Sequence, residues 1–65
     1  MMTEIDVWRT ASLMLWWYGA TAQEESARRA GEFAADGNAA GEACWRRIID
    51  VIAQLVNTTP SGLLH

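Results

Sequence analysis

The sequence predicts an all-α fold: a small three-helix domain, with helices at about 4–18, 22–35 and 40–56 and a loose C-terminal tail. Three observations predict it. Apolar residues recur at spacings of three and four. The first two of the recurrent stretches open on residues suited to a helix start. All three close on a breaker: Gly19, then Asp36-Gly37-Asn38, then Asn57-Thr58-Thr59-Pro60.

Helix one opens at Thr3, an N-cap residue, with Asp6 three positions on, where an acid favours the positive end of the helix dipole. Gly19 can take the left-handed conformation that ends it. Ile5, Trp8, Ser12 and Leu15 form its expected core-facing stripe. Helix two opens on Thr21 with Glu24 three residues later, the pattern of a capping box. Its inward face is expected to be small, with Ala22, Ser26, Ala27, Ala30 and Ala34, and Phe33 the one large residue. Small residues allow close approach of a neighbouring helix. Glu24–Arg28 and Glu25–Arg29 stand at i,i+4 and support the wet face by ~0.3–0.5 kcal/mol each. Helix three carries the strongest stripe, Cys44, Ile48, Val51, Ile52 and Leu55, flanked by Trp45 and Val56. Glu42, Arg46 and Asp50 form a charged row on another face. Proline at position 60 disfavours a helical residue before it, which ends the helix and leaves 61–65 as tail. The expected core is Trp8, Leu15, Phe33, Cys44, Ile48, Ile52 and Leu55.

Sixty-five residues make one domain, 1–65, with one modest core. A chain of this size buries only roughly 60% of the surface exposed when unfolded, so its stability is marginal without a supplement. One cysteine, Cys44, excludes an internal disulfide, and Cys44 with His65 cannot make a zinc site. No metal and no cofactor are expected, which leaves self-association or a protein partner as the supplement. The net charge of −3 argues against general affinity for nucleic acid or anionic lipid. All five basic residues are arginine, the compositional mark of a GC-rich bacterial genome.

Leu13-Met14-Leu15-Trp16-Trp17-Tyr18 followed by Ala20-Thr21-Ala22 imitates a signal peptide. The residues before it carry Glu4, Asp6 and Arg9, however, without the positive bias of such a leader. Six apolar residues also fall far short of the ~20 needed to cross a bilayer. An ordinary helix in a reducing cytoplasm is the expectation.

Catalytic machinery is not legible. His65, the one histidine, lies in the tail, where it cannot be held as a general base. No serine or cysteine has a base beside it, and acid pairs such as Glu24-Glu25 fall on a wet face. The chain is therefore not read as an enzyme, and no small-molecule substrate is expected. The segment 23–31 echoes the first helix of helix-turn-helix repressors. The echo fails at Glu32, where that motif needs an apolar residue, and at Asp36-Gly37-Asn38, where it needs a second helix. A tetratricopeptide reading also fails, because its alanine and aromatic fall out of register and one copy could not bury its faces.

The arrangement Val7-Trp8-Arg9-Thr10-Ala11-Ser12-Leu13, Gly19, Arg29-Ala30, Gly37-Asn38-Ala39-Ala40-Gly41 and Trp45-Arg46-Arg47-Ile48 resembles a family of short helical proteins from sphingomonads and related α-proteobacteria, a domain of unknown function. The resemblance covers nearly the whole chain. It implies a bacterial origin and a helical fold and carries no catalytic residue over. Trp16-Trp17-Tyr18 departs from it, standing where that family has polar residues before the glycine.

Six consecutive apolar side chains surround a helix that turns about 100° per residue, and two neighbours cannot cover them all. With Leu15 inward, Trp17 and Leu13 point outward and Trp16 and Tyr18 sit at the boundary. Leu13, Trp16, Trp17 and Tyr18 are thus the candidate protein-interaction residues, for a second copy or another protein. The alternative occupant is the tail, through Leu63 and Leu64. The function expected is a small interaction or regulatory module. The alternatives are a nucleic-acid-associated regulator using Arg28-Arg29 and Arg46-Arg47, or a small inhibitor from a mobile element.

Overall fold

Thr3 and Asp6 start the fold. The Thr3 hydroxyl oxygen accepts from the Asp6 amide at 3.2 Å, and the Asp6 carboxylate accepts from the Thr3 amide at 3.2 Å, a reciprocal capping box. The computed structural model describes residues 3–58, and these are all helical apart from Thr3 and the turn at 36–38. Helix α1 spans Glu4–Tyr18, α2 spans Ala22–Ala35 and α3 spans Ala39–Thr58. Three separate helices were the expectation, and that is corrected. Gly19–Thr21 form a 3-10 turn abutting both α1 and α2, so positions 4–35 are one unbroken helical run and the described chain has two such runs. The tail at 61–65 lies outside the described residues.

The joint at Gly19 explains the difference. Gly19 takes φ 55° and ψ −123°, a positive φ that only glycine adopts without strain, and its amide still donates to the Leu15 carbonyl. The expected capping box at Thr21 does not form. A capping side chain reaches the helix amides from extended backbone, whereas Thr21 sits at φ −97°, ψ 7°, and its hydroxyl donates backwards to the Tyr18 carbonyl at 3.0 Å. The second break is closed more fully. Gly37 takes φ 74°, its amide donates to Ala34 at 3.1 Å, and the Asn38 amide donates to Phe33 at 2.9 Å, the two bonds of a Schellman motif. Asn38 then caps α3, accepting from the Gly41 amide at 2.9 Å through its side chain. The helix begins at Ala39 and runs to Thr58, two residues beyond the expected end near 56.

The buried set is Val7, Ala11 and Met14 from α1, Ala22, Ser26 and Ala30 from α2, and Ile48, Val51 and Ile52 from α3. On α2 the spacing of four in small residues places one narrow face against its neighbours, while Ala27 and Ala34 are exposed. Glu4 beside Arg47 at one end, and Leu15 with Trp16 beside Leu55 and Val56 at the other, set α1 and α3 running in the same direction.

Of the expected core, Ile48 and Ile52 are buried; Trp8, Leu15, Phe33, Cys44 and Leu55 are half-buried. The inward stripe of α1 is corrected from Ile5-Trp8-Ser12-Leu15 to Val7-Ala11-Met14. Ile5 is 69% exposed, Ser12 is exposed, and Trp8 and Leu15 pack at the margin of the core. The reason is steric. α1 is apolar on two faces, and only the face with the small Ala11 at its middle lets α1 approach a core already narrowed by the alanines of α2.

Candidate protein-interaction surface

The C-terminal half of α1 carries Leu13, Trp16, Trp17 and Tyr18, and all four are exposed. With Met14 inward, Trp16 lies about 200° around the helix and points squarely outward. It is 83% exposed, Trp17 64% and Leu13 42%. The sequence ordering placed Trp17 outermost and Trp16 at the boundary. The rotation of the inward stripe by one residue exchanges them.

Tyr18 behaves differently. At 37% exposure it stands at the edge of the patch, tied back by the Arg29 side chain, which donates to its hydroxyl at 3.1 Å. The same guanidinium lies 5.9 Å from the Tyr18 ring centroid and 5.2 Å from that of Trp45, and also bonds Glu25. Such cation–π contacts are worth roughly 0.5–1 kcal/mol at partly exposed sites. Arg29 of α2 thereby links Tyr18 of α1 to Trp45 of α3, and Tyr18 serves the fold at least as much as the surface.

Two residues that sequence reasoning did not assign to this surface complete it. Val56, 56% exposed, stands beside Leu55, and together with Ser12, Leu15 and Trp16 they line a shallow groove between α1 and α3. Ile5 adds exposed apolar area two and three turns before Ser12 and Trp16 on the same row. The signal for Val56 was present, four residues after Ile52, but only the side-by-side course of α1 and α3 joins it to Trp16.

Elsewhere on the surface four arginines are engaged in ion pairs. Arg28 pairs with Glu25 and, at 3.6 Å, with Glu32, in place of the Glu24 partner expected from spacing. Arg29 pairs with Glu25 at 3.4 Å, Arg46 with Glu42 at 2.9 Å, and Arg47 with Glu4. Both basic pairs are therefore held by carboxylates. The Arg47 hydrogen bond holds Glu4 below the ordinary carboxylate range, and the Thr3 amide does the same for Asp6. The Arg28 hydrogen bond lowers Glu25 likewise. These shifts favour the ionised form, the opposite of what a general acid needs. A second groove, lined by Val7, Asn38, Ala40, Gly41, Ala43 and Cys44, lies beside the Glu4–Arg47 pair.

Among the described residues no group of three His, Cys, Asp or Glu could hold a metal ion. No described helix is long and apolar enough to cross a membrane. No family model, curated protein or solved structure matches the chain.

Proposed function

We propose that this chain is a non-catalytic helical interaction module of the bacterial cytoplasm that binds protein through the apolar surface formed by Leu13, Trp16 and Trp17 of α1 with Val56 of α3. The observation that carries this reading is the exposure of two adjacent tryptophans, Trp16 at 83% and Trp17 at 64%. A tryptophan side chain offers ~150–250 Å² of burial, so leaving Trp16 in water forgoes roughly 3–5 kcal/mol of transfer free energy. Scattered exposed apolar residues are ordinary, but neighbouring aromatic side chains with an aliphatic rim have the composition of an interface centre. The nucleic-acid reading is ranked below it, because Arg28, Arg29, Arg46 and Arg47 already neutralise carboxylates. Nothing on the surface favours the inhibitor reading.

The test is site-specific photocrosslinking in cells, with a benzophenone amino acid at position 16 and, as control, at exposed Glu24 on α2. Protein adducts are expected at 16 and not at 24. Equal yields at both positions, or none at 16, would refute the reading.

A further inference from the structure

We infer that the occupant of this surface is a second copy of the chain, seated with its α1 antiparallel to the first across a two-fold axis near Ser12. This deepens the interaction reading and rests on it. The row Arg9, Ser12, Trp16 runs along the exposed side of α1 at spacings of three and four. It carries a cation at one end, an open aromatic face at the other and a small side chain between them. An isologous contact requires a surface that complements itself under reversal, and this row does. Laid antiparallel about Ser12, the Arg9 guanidinium of each copy meets the Trp16 ring of the other, a cation–π contact repeated twice. The two arginines then stand seven residues apart along the paired helices, about 10 Å, which keeps like charges separated. The helix dipoles of the two α1 segments also oppose each other favourably.

Two further observations suit a close, dry contact there. Ser12, at the axis, donates its hydroxyl to the Trp8 carbonyl at 3.0 Å, so it enters an interface with its donor already satisfied. Its small size lets the helices approach. Val56, on the α3 flank, and Leu13, on the other, provide an apolar border on each side of the row. Asp6 keeps its carboxylate in the Thr3 cap, away from the axis.

Area sets the expected strength. Trp16 and Trp17 at their observed exposures contribute roughly 300 Å² between them, and the rest of the surface brings the total to roughly 500–600 Å² per copy. A standard interface uses ~800 Å² per partner, so this is a small one, of the class that gives reversible association. A dimer dissociating in the micromolar range is the expectation.

Sedimentation equilibrium of the full chain from low to high micromolar concentration tests this. A monomer–dimer equilibrium is expected, abolished by Trp16→Arg and weakened at least ~fivefold by Arg9→Glu, with helix content unchanged in both. Ala27→Glu with Ala34→Glu, both exposed on α2, lowers the net charge by the same two units as Arg9→Glu, so a loss confined to Arg9→Glu reports the specific pairing, and equal weakening by both would overturn it. A chain monomeric throughout, an open series of larger species, or a dimer indifferent to Arg9→Glu would overturn the inference. If the chain is monomeric while position 16 crosslinks a different protein, the second copy is refuted and the interaction reading stands. Fluorotryptophan NMR, with the Trp16 resonance assigned by Trp16→Phe, covers the remaining case. A monomer whose Trp16 resonance is shielded from solvent, and becomes exposed on joint Leu63→Ser and Leu64→Ser substitution, would refute both readings in favour of cover by the C-terminal segment.

Discussion

The ring of Phe33 on α2 lies directly over Gly41 on α3, so that a Cβ at Gly41 would stand 2.7 Å from the Phe33 Cγ. The two residues flank the turn at 36–38, and their contact closes the α2–α3 hairpin at its tip. Gly41→Ala gains up to ~1 kcal/mol of helix propensity but forces the ring from its place, at a cost of ~1–3 kcal/mol. Because the clash falls on the ring near its root, where the side chain has little room to yield, the steric cost should win. Gly41→Ala is expected to melt below the parent. A higher melting temperature would show that Phe33 swings aside freely.

Ile52 is wholly buried within the cluster shared by α1, α2 and α3. Ile52→Ala should cost ~2–5 kcal/mol, enough to unfold a domain of this size or leave it barely folded. The measurement is a denaturant titration followed by circular dichroism. A midpoint equal to the parent's would contradict the assignment of α3's inward face.

Ser26 sits among the buried residues of α2 with its hydroxyl unpaired. A buried hydroxyl without a partner costs ~1–3 kcal/mol, and alanine fills the same narrow space with better helix propensity. Ser26→Ala is expected to stabilise the fold by about 1 kcal/mol, seen as a higher denaturant midpoint. A lower midpoint would reveal a partner for the hydroxyl.

Glu4, Asp6 and Glu25 all have carboxyls held below their ordinary values of 4.5, 3.8 and 4.5. A group whose folded pKa is depressed contributes stability that is full above its unfolded value and lost as pH falls through the folded one. The melting temperature should therefore hold near neutrality and decline below about pH 4.5. Glu4→Gln mimics the protonated carboxyl and breaks the charge pair with Arg47. It should melt below the parent at neutral pH, with the difference closing on acidification. A difference that persists at low pH would assign Glu4 a role other than its charge. Glu4 is exposed while Asp6 and Glu25 are partly covered, so the Glu4 contribution should shrink most in high salt.

Local chemistry was enough to read the helical class, the start at Thr3 and the break at 36–38 from residues, but not the continuation of the helical run through Gly19–Thr21. Thr3 with Asp6, Gly19, and Gly37-Asn38 each act within a few positions of themselves, and a cap or a positive φ depends on neighbours in sequence. The α3 stripe was legible for the same reason: Ile48, Val51 and Ile52 leave one strongly apolar face and no rival. The exposed aromatic run was legible too, because no arrangement of two neighbours covers a full circumference. What needed the tertiary structure was every choice between near-equal options. On α1 the Trp8 face and the Ala11 face are both apolar. The decision fell to the width of the space beside Ala22, Ser26 and Ala30, a property of three helices together. That choice rotated α1, exposed Ile5 and Ser12, and made Trp16 rather than Trp17 the outermost ring. The junction at Thr21 was settled similarly, its hydroxyl turning to the Tyr18 carbonyl once Gly19 continued the helical run. Periodicity reports how apolar each face of a helix is. Which face is buried depends on the shape of what it meets.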